Sequence, residues 1–306
     1  MRNRRGQIID GWLLIDKPLE KTSAFIVNKV KYVFDARKVG HSGTLDPLAT
    51  GLLPIAFGKA TKTIPYIMDK KKVYHFTLTF GESRTTDDAE GEVIARSDVR
   101  PSDADIEQAL IQFQGEIMQI PPIFSAIKVG GKRSYDLARQ GELPQLKQRP
   151  ARIDSFRMIE RLDQDRAKFE VISGKGVYMR SLARDLAVAC QSVGYISELR
   201  RLKVGPFDVT DAFSLDKIVG NDKKGEASLD LILPVETALD DIPALALTSE
   251  EATDLRFGRS LGIDQLKDRI SLEVELPDGV LRAMNGGHFI GLCRFEEERL
   301  RPIRVF

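Results

Sequence analysis

A single acidic residue, Asp46, lies in a segment between Gly40 and Pro54 that is rich in glycine, proline and small or apolar side chains. Pro47 biases Asp46 toward an extended backbone, and the neighbouring glycines permit tight turns. A carboxylate in such poorly hydrated surroundings must find a cationic partner or take up a proton. Asp46 is therefore a candidate nucleophile or general base, and an aspartate that only caps a turn is the alternative.

Other catalytic motifs are missing from the sequence. No glycine-rich loop precedes a Lys-Ser or Lys-Thr pair, and neither a dinucleotide fingerprint nor a G-x-S-x-G motif occurs. The three histidines, His41, His75 and His288, lie far apart, and Cys190 and Cys293 are the only cysteines. A zinc site or a disulfide framework is therefore not expected. Any chemistry must rest on carboxylate, tyrosine, lysine or arginine side chains, and we predict neither a metal nor a cofactor.

Composition limits the class of protein. The 306 residues are 42% hydrophobic and 30% charged, which excludes disorder for most of the chain and suffices for a large domain with a small one. No apolar run approaches a membrane span or a secretory signal, and with two cysteines we expect a reducing, cytoplasmic setting. Residues 1–220 carry 35 Lys and Arg against 28 Asp and Glu, whereas residues 221–306 carry 11 against 17. This asymmetry permits a nucleic-acid partner but does not require one.

Hydrophobic patterns predict the elements that must position these groups. Strands are predicted where apolar residues run together or alternate with polar ones, at residues 12–15, 74–80 and 169–171. Helices are predicted where a capping residue or a glycine turn precedes apolar residues at helical spacing, after residues 22, 102 and 176. The first helix is expected to present Phe25, Val27, Val30 and Phe34. Residues 40–58 show little periodicity and are predicted to form a loop or tight turns.

Two further regions differ in character from the rest. Residues 121–150 are rich in Lys, Arg, Gly and Gln, with one short helix predicted near 135–139, and form a long insertion of the kind that is usually functional. From about residue 271, turn signals separate four short predicted strands, at 272–276, 280–284, 289–295 and 300–306. The latter pattern predicts a small β-barrel-like module.

The segment from Gly40 to Pro54 resembles the signature loop of the TruB-type tRNA pseudouridine synthases, with Ser42 where that family has Thr. Further segments resemble that family's other motifs in the same order, at 11–18, 74–91, 120–128, 176–182 and 199–202. The resemblance extends over roughly residues 8–215. It departs from the family at Arg84 and Val177, where Thr is usual, and at Ala187, where Gly is common.

The resemblance implies an α/β (α+β) fold with a central mixed, mostly antiparallel sheet and flanking helices, followed by a small PUA-like β module. The catalytic domain would span residues 1–240, with an RNA-gripping thumb insertion at about 121–150, and the module 241–306. Such enzymes convert uridine 55 in the TΨC loop of tRNA to pseudouridine. They flip the base out, cleave its glycosidic bond, rotate it and rejoin it through carbon 5. The resemblance implies tRNA as partner, no metal or cofactor, and we expect a monomer.

The resemblance also assigns the catalytic groups. Asp46 matches the carboxylate that attacks either C6 of the uracil or C1′ of the ribose, and the sequence leaves that choice open. Arg180 matches its partner, which would stabilise the ionised carboxylate. Tyr74 matches the aromatic residue that stacks on the target base and whose hydroxyl could take the C5 proton. Asp88 is expected to shape a turn rather than take part in the chemistry.

Substrate contacts follow from the same resemblance. Tyr178 and Leu199 match positions that complete the apolar pocket around the base, and His41 matches the residue that fills the gap left by the flipped base. Each has a simpler alternative, a core residue or a histidine bonded to the loop backbone. RNA contacts are expected from basic side chains of the insertion, namely Lys128, Lys132 and Arg133.

Two other functions stay open at this point. The chain could serve a different RNA or a guide-RNA complex, although its own insertion favours a direct grip on tRNA. It could also be an RNA-binding chaperone without catalysis, although the presence of Asp46, Tyr74 and Arg180 argues against that.

Overall fold

The computed structural model of the chain describes residues 6–142, 144–220, 224–225, 227–266, 269 and 279–306. Up to residue 220 the strands are β1 (Gly11–Lys17), β2 (Val39–His41), β3 (Ala49–Phe57), β4 (Lys72–Phe80), β5 (Glu82–Arg84), β6 (Val93–Arg96), β7 (Gly115–Gln119), β8 (Lys128–Val129), β9 (Lys132–Arg133), β10 (Arg149–Arg161), β11 (Arg166–Ser173), β12 (Gly194–Val204), β13 (Phe207–Asp208) and β14 (Phe213–Ser214). The α-helices of the same part are α1 (Ser23–Val33), α2 (Ile64–Asp69), α3 (Asp103–Leu110), α4 (Ser134–Arg139), α5 (Met179–Ala189) and α6 (Leu215–Val219).

Ten of these strands form one mixed sheet. The order is β14-β1-β3-β12-β4-β11-β10-β7, with β2 beside β3 and β13 beside β12. Within the described residues, β1–β14 and β3–β12 are the parallel pairs of this sheet, and its other pairs are antiparallel. The predicted α/β fold with a mixed, mostly antiparallel sheet is therefore confirmed.

Helices α3 and α5 cover one half of a sheet face. The alternating pattern of β4 places Phe76, Leu78 and Phe80 in the core beneath these helices, as predicted, and the rings of Phe76 and Phe169 stack at 5.3 Å. Helix α3 begins with the predicted capping box, in which Ser102 and Asp105 exchange hydrogen bonds with each other's backbone. This half of the fold follows directly from local sequence patterns.

Helix α1 covers the other half of the same face. Thr22 caps its first turn through a hydrogen bond from the backbone of Phe25. The prediction that Phe25 faces the core is wrong, because 44% of this residue is exposed. A helix that begins at Ser23 turns Ile26, Val30 and Val33 toward the sheet instead.

The prediction of a loop over residues 40–58 is wrong for most of its length. Strand β3 occupies Ala49–Phe57 in the interior of the sheet, and the loop proper spans only 42–48. The apolar run from Leu52 to Phe57 is typical of a strand buried on both faces, which shows no alternation. Pro54 is tolerated within this strand. Its carbonyl accepts from the backbone N–H of Ser42 on the side away from β1, and its nitrogen faces the same side. The pairing with β1 therefore needs no N–H from Pro54.

The insertion and the C-terminal module have their own small elements. Strands β8 and β9 form a hairpin, and α4 confirms the short helix predicted near 135–139. The module contains β15 (Ala244–Ala246), α7 (Ser249–Arg256), β16 (Leu261–Gly262), β17 (Val280–Asn285), β18 (His288–Glu296) and β19 (Arg299–Val305). Its strand order is β15-β17-β18-β19-β16.

Three of the four strands predicted for the C-terminal module are confirmed as β17, β18 and β19, and the fourth, 272–276, lies outside the described residues. Strands β15 and β16 were not predicted, because each has too few residues to show an alternation. Helix α7 was not predicted either, although Thr248 and Glu251 form a capping box at its start. A domain boundary near residue 240 and a PUA-like type stay predictions. None of the helices in the described ranges has the length and hydropathy needed to cross a bilayer.

Candidate active site

The loop of residues 42–48, here called the Asp46 loop, is held by side chains from three separate elements. Buried Lys17 of β1 donates to the carbonyl of Pro47 at 3.1 Å. Ser23 of α1 both accepts from the backbone N–H of Leu45 at 2.9 Å and donates to its carbonyl at 3.0 Å. Burial lowers the pKa of Lys17 to about 8, and the nearby Asp46 carboxylate opposes that effect.

Arg201 of β12 is the third support of the Asp46 loop. Its buried guanidinium donates to the carbonyl of Gly43 at 3.2 Å and to that of Leu52 at 2.8 Å. The backbone of β3 approaches β12 so closely that a Cβ on Gly51 would lie 2.2 Å from the Arg201 carbonyl, and Gly51 has a φ of +98°. Glycine is therefore required where this loop enters β3.

Arg180 lies in the first turn of α5, and only 7% of its side chain is exposed. Its Nε is 2.9 Å from Oδ2 of Asp46, and one terminal nitrogen is 3.3 Å from Oδ2 of Asp88. The terminal nitrogens also donate to the carbonyls of Thr86 at 2.9 Å and Phe124 at 3.0 Å. The helix dipole disfavours a cation here, and two carboxylates with two carbonyls compensate for that placement.

Asp46 and Asp88 differ in exposure although both contact Arg180. Asp46 exposes 39% of its side chain, whereas Asp88 exposes 7%. Asp88 does shape its turn, since its Oδ1 accepts from the backbone N–H of Glu90 at 3.1 Å. Its second contact, with Arg180, was not predicted, because nothing local to the turn indicates a partner more than 90 positions away. The accessible carboxylate of the pair is therefore Asp46.

A small pocket of about 10 Å³, little more than the room for one water molecule, lies beside this ion pair and is open to solvent. Its lining residues are Asp46, Leu48, Ala49, Asp88, Arg180, Ile196, Ser197 and Leu199. The pocket combines one accessible carboxylate, one buried guanidinium and apolar walls. The lining therefore places apolar side chains next to a charged, accessible nucleophile, in a pocket that is smaller than a nucleobase.

Three sequence-predicted residues, Asp46, Arg180 and Leu199, line this pocket together. Tyr74 does not line it, but Tyr74 and Leu199 both pack against the core under α5 and the core under α1. Tyr178 does not line the pocket either, although it lies only two residues before Arg180 in the chain. Burial raises the pKa of its hydroxyl, and the positive charge of Arg149 opposes that effect.

The remaining predicted residues do not line the pocket. His41 ends β2, and its Nδ1 accepts from the backbone N–H of Gly43 at 3.2 Å, which is the simpler alternative given for it above. Burial lowers the pKa of His41, so the neutral ring is favoured. Lys128, Lys132 and Arg133 lie on the exposed β8–β9 hairpin. Their roles, like those of the pocket residues, stay predictions.

Comparison with protein families gives two matches. Residues 31–179 match the model described as the TruB family pseudouridylate synthase N-terminal domain. Residues 180–240 match the tRNA pseudouridylate synthase B C-terminal domain. A protein of Gluconacetobacter diazotrophicus named tRNA pseudouridine synthase B is 61% identical, covering 100% of both chains. The chain belongs to the TruB family. A TruB relative of the same name in Rhodospirillum rubrum is 49% identical, covering 99% of this chain and 98% of that protein.

Two solved structures share the fold at lower identity. The crystal structure of a Cbf5-Nop10-Gar1 complex contains a chain that is 24% identical with a TM-score of 0.73, covering 98% of this chain and 84% of that one. An H/ACA RNP bound to a substrate RNA containing 2'-deoxyuridine contains another, 21% identical with a TM-score of 0.73, covering 100% and 91%. This TruB chain therefore has a pseudouridine synthase fold.

Proposed function

We propose that this chain is a tRNA pseudouridine synthase that isomerises uridine 55 of the TΨC loop, with Asp46 as its nucleophile. The observation that supports it most is the 2.9 Å contact between Arg180 and the accessible carboxylate of Asp46, beside an apolar pocket. The names of its TruB relatives support tRNA as the substrate.

The reaction needs a carboxylate that is ionised, partly dehydrated and fixed in direction. Asp46 attacks either C6 of the flipped uracil or C1′ of its ribose, forming a C–O bond as an ester or an adduct. The bond between N1 and C1′ breaks, the ring turns, and C5 bonds to C1′. Release of Asp46 then accompanies loss of the C5 proton and protonation of N1. Atoms balance without a co-reactant, because product and substrate are isomers.

Arg180 has two tasks in this proposal. It places a positive charge beside Asp46, so that an ion pair fixes the direction of the nucleophile before attack. It also leaves the carboxylate on the pocket side accessible, because its Nε engages Oδ2 while its other nitrogens are bound to Asp88, Thr86 and Phe124. A pre-organised partner of this kind costs no reorganisation during the reaction.

Other side chains hold the nucleobase. Leu199 provides an apolar wall of the pocket, and we propose that Tyr178 completes it. We propose that Tyr74 stacks on the uracil and that its hydroxyl accepts the C5 proton. His41 is proposed to occupy the space that the extruded base leaves in the RNA.

The tRNA is proposed to be gripped through its phosphates by the insertion. Lys128, Lys132 and Arg133 are exposed on the β8–β9 hairpin. The hairpin follows Phe124, whose carbonyl accepts a hydrogen bond from Arg180. A short stretch of chain therefore joins the proposed phosphate-binding hairpin to the pocket. We further propose that the protein is cytoplasmic, since its substrate is tRNA, and that it acts as a monomer.

The test incubates the purified protein with unmodified tRNA transcript and maps pseudouridine by base-specific chemistry. We expect conversion at uridine 55, none in a transcript with cytidine at that site, and no turnover by Asp46→Asn with tRNA affinity within about twofold. Conversion at another position would contradict the proposed site. Full activity of Asp46→Asn would remove Asp46 from the mechanism, and tRNA binding without any conversion by the wild type would favour a chaperone.

A further inference from the structure

Gln119 ends strand β7, at the point where the insertion begins, and is 3% exposed. Its side-chain carbonyl accepts from the backbone N–H of Tyr178 at 2.9 Å. Its side-chain nitrogen donates to the backbone carbonyl of Tyr178 at 3.0 Å. One buried amide therefore satisfies both backbone groups of one residue, which only a side chain with a donor and an acceptor can do.

Tyr178 is the N-cap residue that precedes α5, and its side chain does not cap the helix. It follows a turn in which Gly176 has a φ of +78°. A glycine turn before a helix without a side-chain cap supplies few local constraints on the direction of the first helical residues. The two hydrogen bonds from Gln119, which belongs to β7, supply a constraint that the turn and the helix lack. Arg180 lies two residues after Tyr178 in the chain.

The stretch after Gln119 is bound to the same turn of α5. The Ile120 carbonyl accepts from Ser181 at 2.7 Å and from Arg184 at 3.0 Å. The Phe124 carbonyl accepts from Arg180 at 3.0 Å. The start of the insertion and the start of α5 are thus one hydrogen-bonded unit. Gln119 is a buried member of this unit, and its side chain bonds the backbone of Tyr178.

We propose that Gln119 is a positioning residue, which sets the backbone of Tyr178 and thereby aims Tyr178 and Arg180 at Asp46. The proposal rests on the proposed function, because it assumes that these three residues form the catalytic pocket. It assigns a role in turnover to a residue that touches neither substrate nor nucleophile.

The variant Gln119→Glu separates this role from plain packing, because it has nearly the same shape. The introduced carboxylate still accepts from the Tyr178 N–H, but it opposes the Tyr178 carbonyl that Gln119 donates to. When protonated, the same carboxyl has one donor and one acceptor again and replaces both bonds. The ratio of variant kcat to wild-type kcat is therefore expected to be about 0.01–0.1 at pH 8 and to rise toward 1 as the pH falls to about 5.

Two other variants complete the experiment. Gln119→Leu loses both bonds, so its kcat is expected to fall about tenfold or more at every pH, without recovery in acid. Gln108→Glu makes the same charge change on the exposed face of α3 and is expected to keep the wild-type kcat at every pH. The KM for tRNA should stay within about twofold in all three, because the proposed phosphate contacts lie elsewhere.

A Gln119→Glu ratio that does not change with pH would overturn the proposal, as would a wild-type kcat in Gln119→Leu. If Gln119→Glu does not fold, as judged by circular dichroism, Gln119→Leu alone decides. Activity of Asp46→Asn would instead contradict the proposed nucleophile. The two failures are distinguishable, because the first is read from the kcat of the Gln119 variants and the second from the activity of Asp46→Asn.

Discussion

Asp88→Asn is expected to lower both turnover and stability, because it removes one of the two carboxylates that Arg180 contacts. The substitution keeps the shape of the side chain and an oxygen that can accept from the Glu90 backbone, so the turn survives. What it removes is the negative charge 3.3 Å from the Arg180 guanidinium, in a site where both side chains are 7% exposed. Arg180 then keeps Asp46 as its one carboxylate partner among the described residues.

The size of the effect follows from that geometry. At an effective dielectric constant of about 20, two unit charges at this separation attract by about 5 kcal/mol. Much of this is offset by the cost of keeping a second carboxylate out of water, and one-sided removal of a buried pair typically costs about 3–5 kcal/mol. Arg180 retains Asp46 and two carbonyls, so we expect a loss of about 1–3 kcal/mol in unfolding free energy and about 10- to 100-fold in kcat.

The assay is single-turnover conversion of unmodified tRNA, with urea unfolding measured on the same proteins. Asp87→Asn is the matched control, because Asp87 is the adjacent acid but pairs with Arg184 at 2.9 Å. Its φ of +59° is one that asparagine tolerates. We expect the control to keep kcat within about threefold. Equal losses in the two variants, or a wild-type kcat in Asp88→Asn, would refute the reasoning from Arg180.

Three further outcomes are expected. Arg84→Thr, which restores the residue usual in the family, should lower the unfolding free energy by about 1–2 kcal/mol in urea titrations. The reason is that the Arg84 guanidinium lies 4.4 Å from the centre of the Tyr195 ring and donates to two carbonyls of its turn. An unchanged midpoint of urea unfolding would contradict the prediction. The hydrogen bond with Arg269 is the main reason why the pKa of Glu251 is lowered to about 2, so the contribution of Glu251 to stability is complete above about pH 4.5 and is lost as the pH falls through 2. Glu251→Gln should therefore lower the melting temperature at pH 7 and differ less from the wild type at pH 3. A difference in melting temperature that is the same at both pH values would refute this linkage. Binding of tRNA should weaken as the salt concentration rises. Alanine at Lys128, Lys132 or Arg133 of the hairpin should each reduce the slope of log K against log salt concentration by about 0.7–0.9. Unchanged slopes would exclude phosphate contacts at these residues.

Local patterns were sufficient for the elements whose burial repeats along the chain. The alternation from Tyr74 to Phe80 predicted β4 and its buried face, and the capping box at Ser102 predicted α3. Both succeed because strand and helix periods are set by backbone geometry within a few residues. The same reasoning failed for β3, since a strand with neighbours on both faces loses the alternation that identifies strands.

The candidate site was only partly accessible to such reasoning. The sequence by itself determined that the chain has an isolated acid in a rigid, apolar loop, and the resemblance of residues 176–182 to another family motif indicated Arg180 as its partner. Only the tertiary structure decided that Lys17 and Arg201 support the loop and that Asp88 also contacts Arg180. The physical reason is that a hydrogen bond or ion pair depends on where two side chains meet after the sheet has formed. No periodicity along the chain encodes a contact between residues that are tens to hundreds of positions apart.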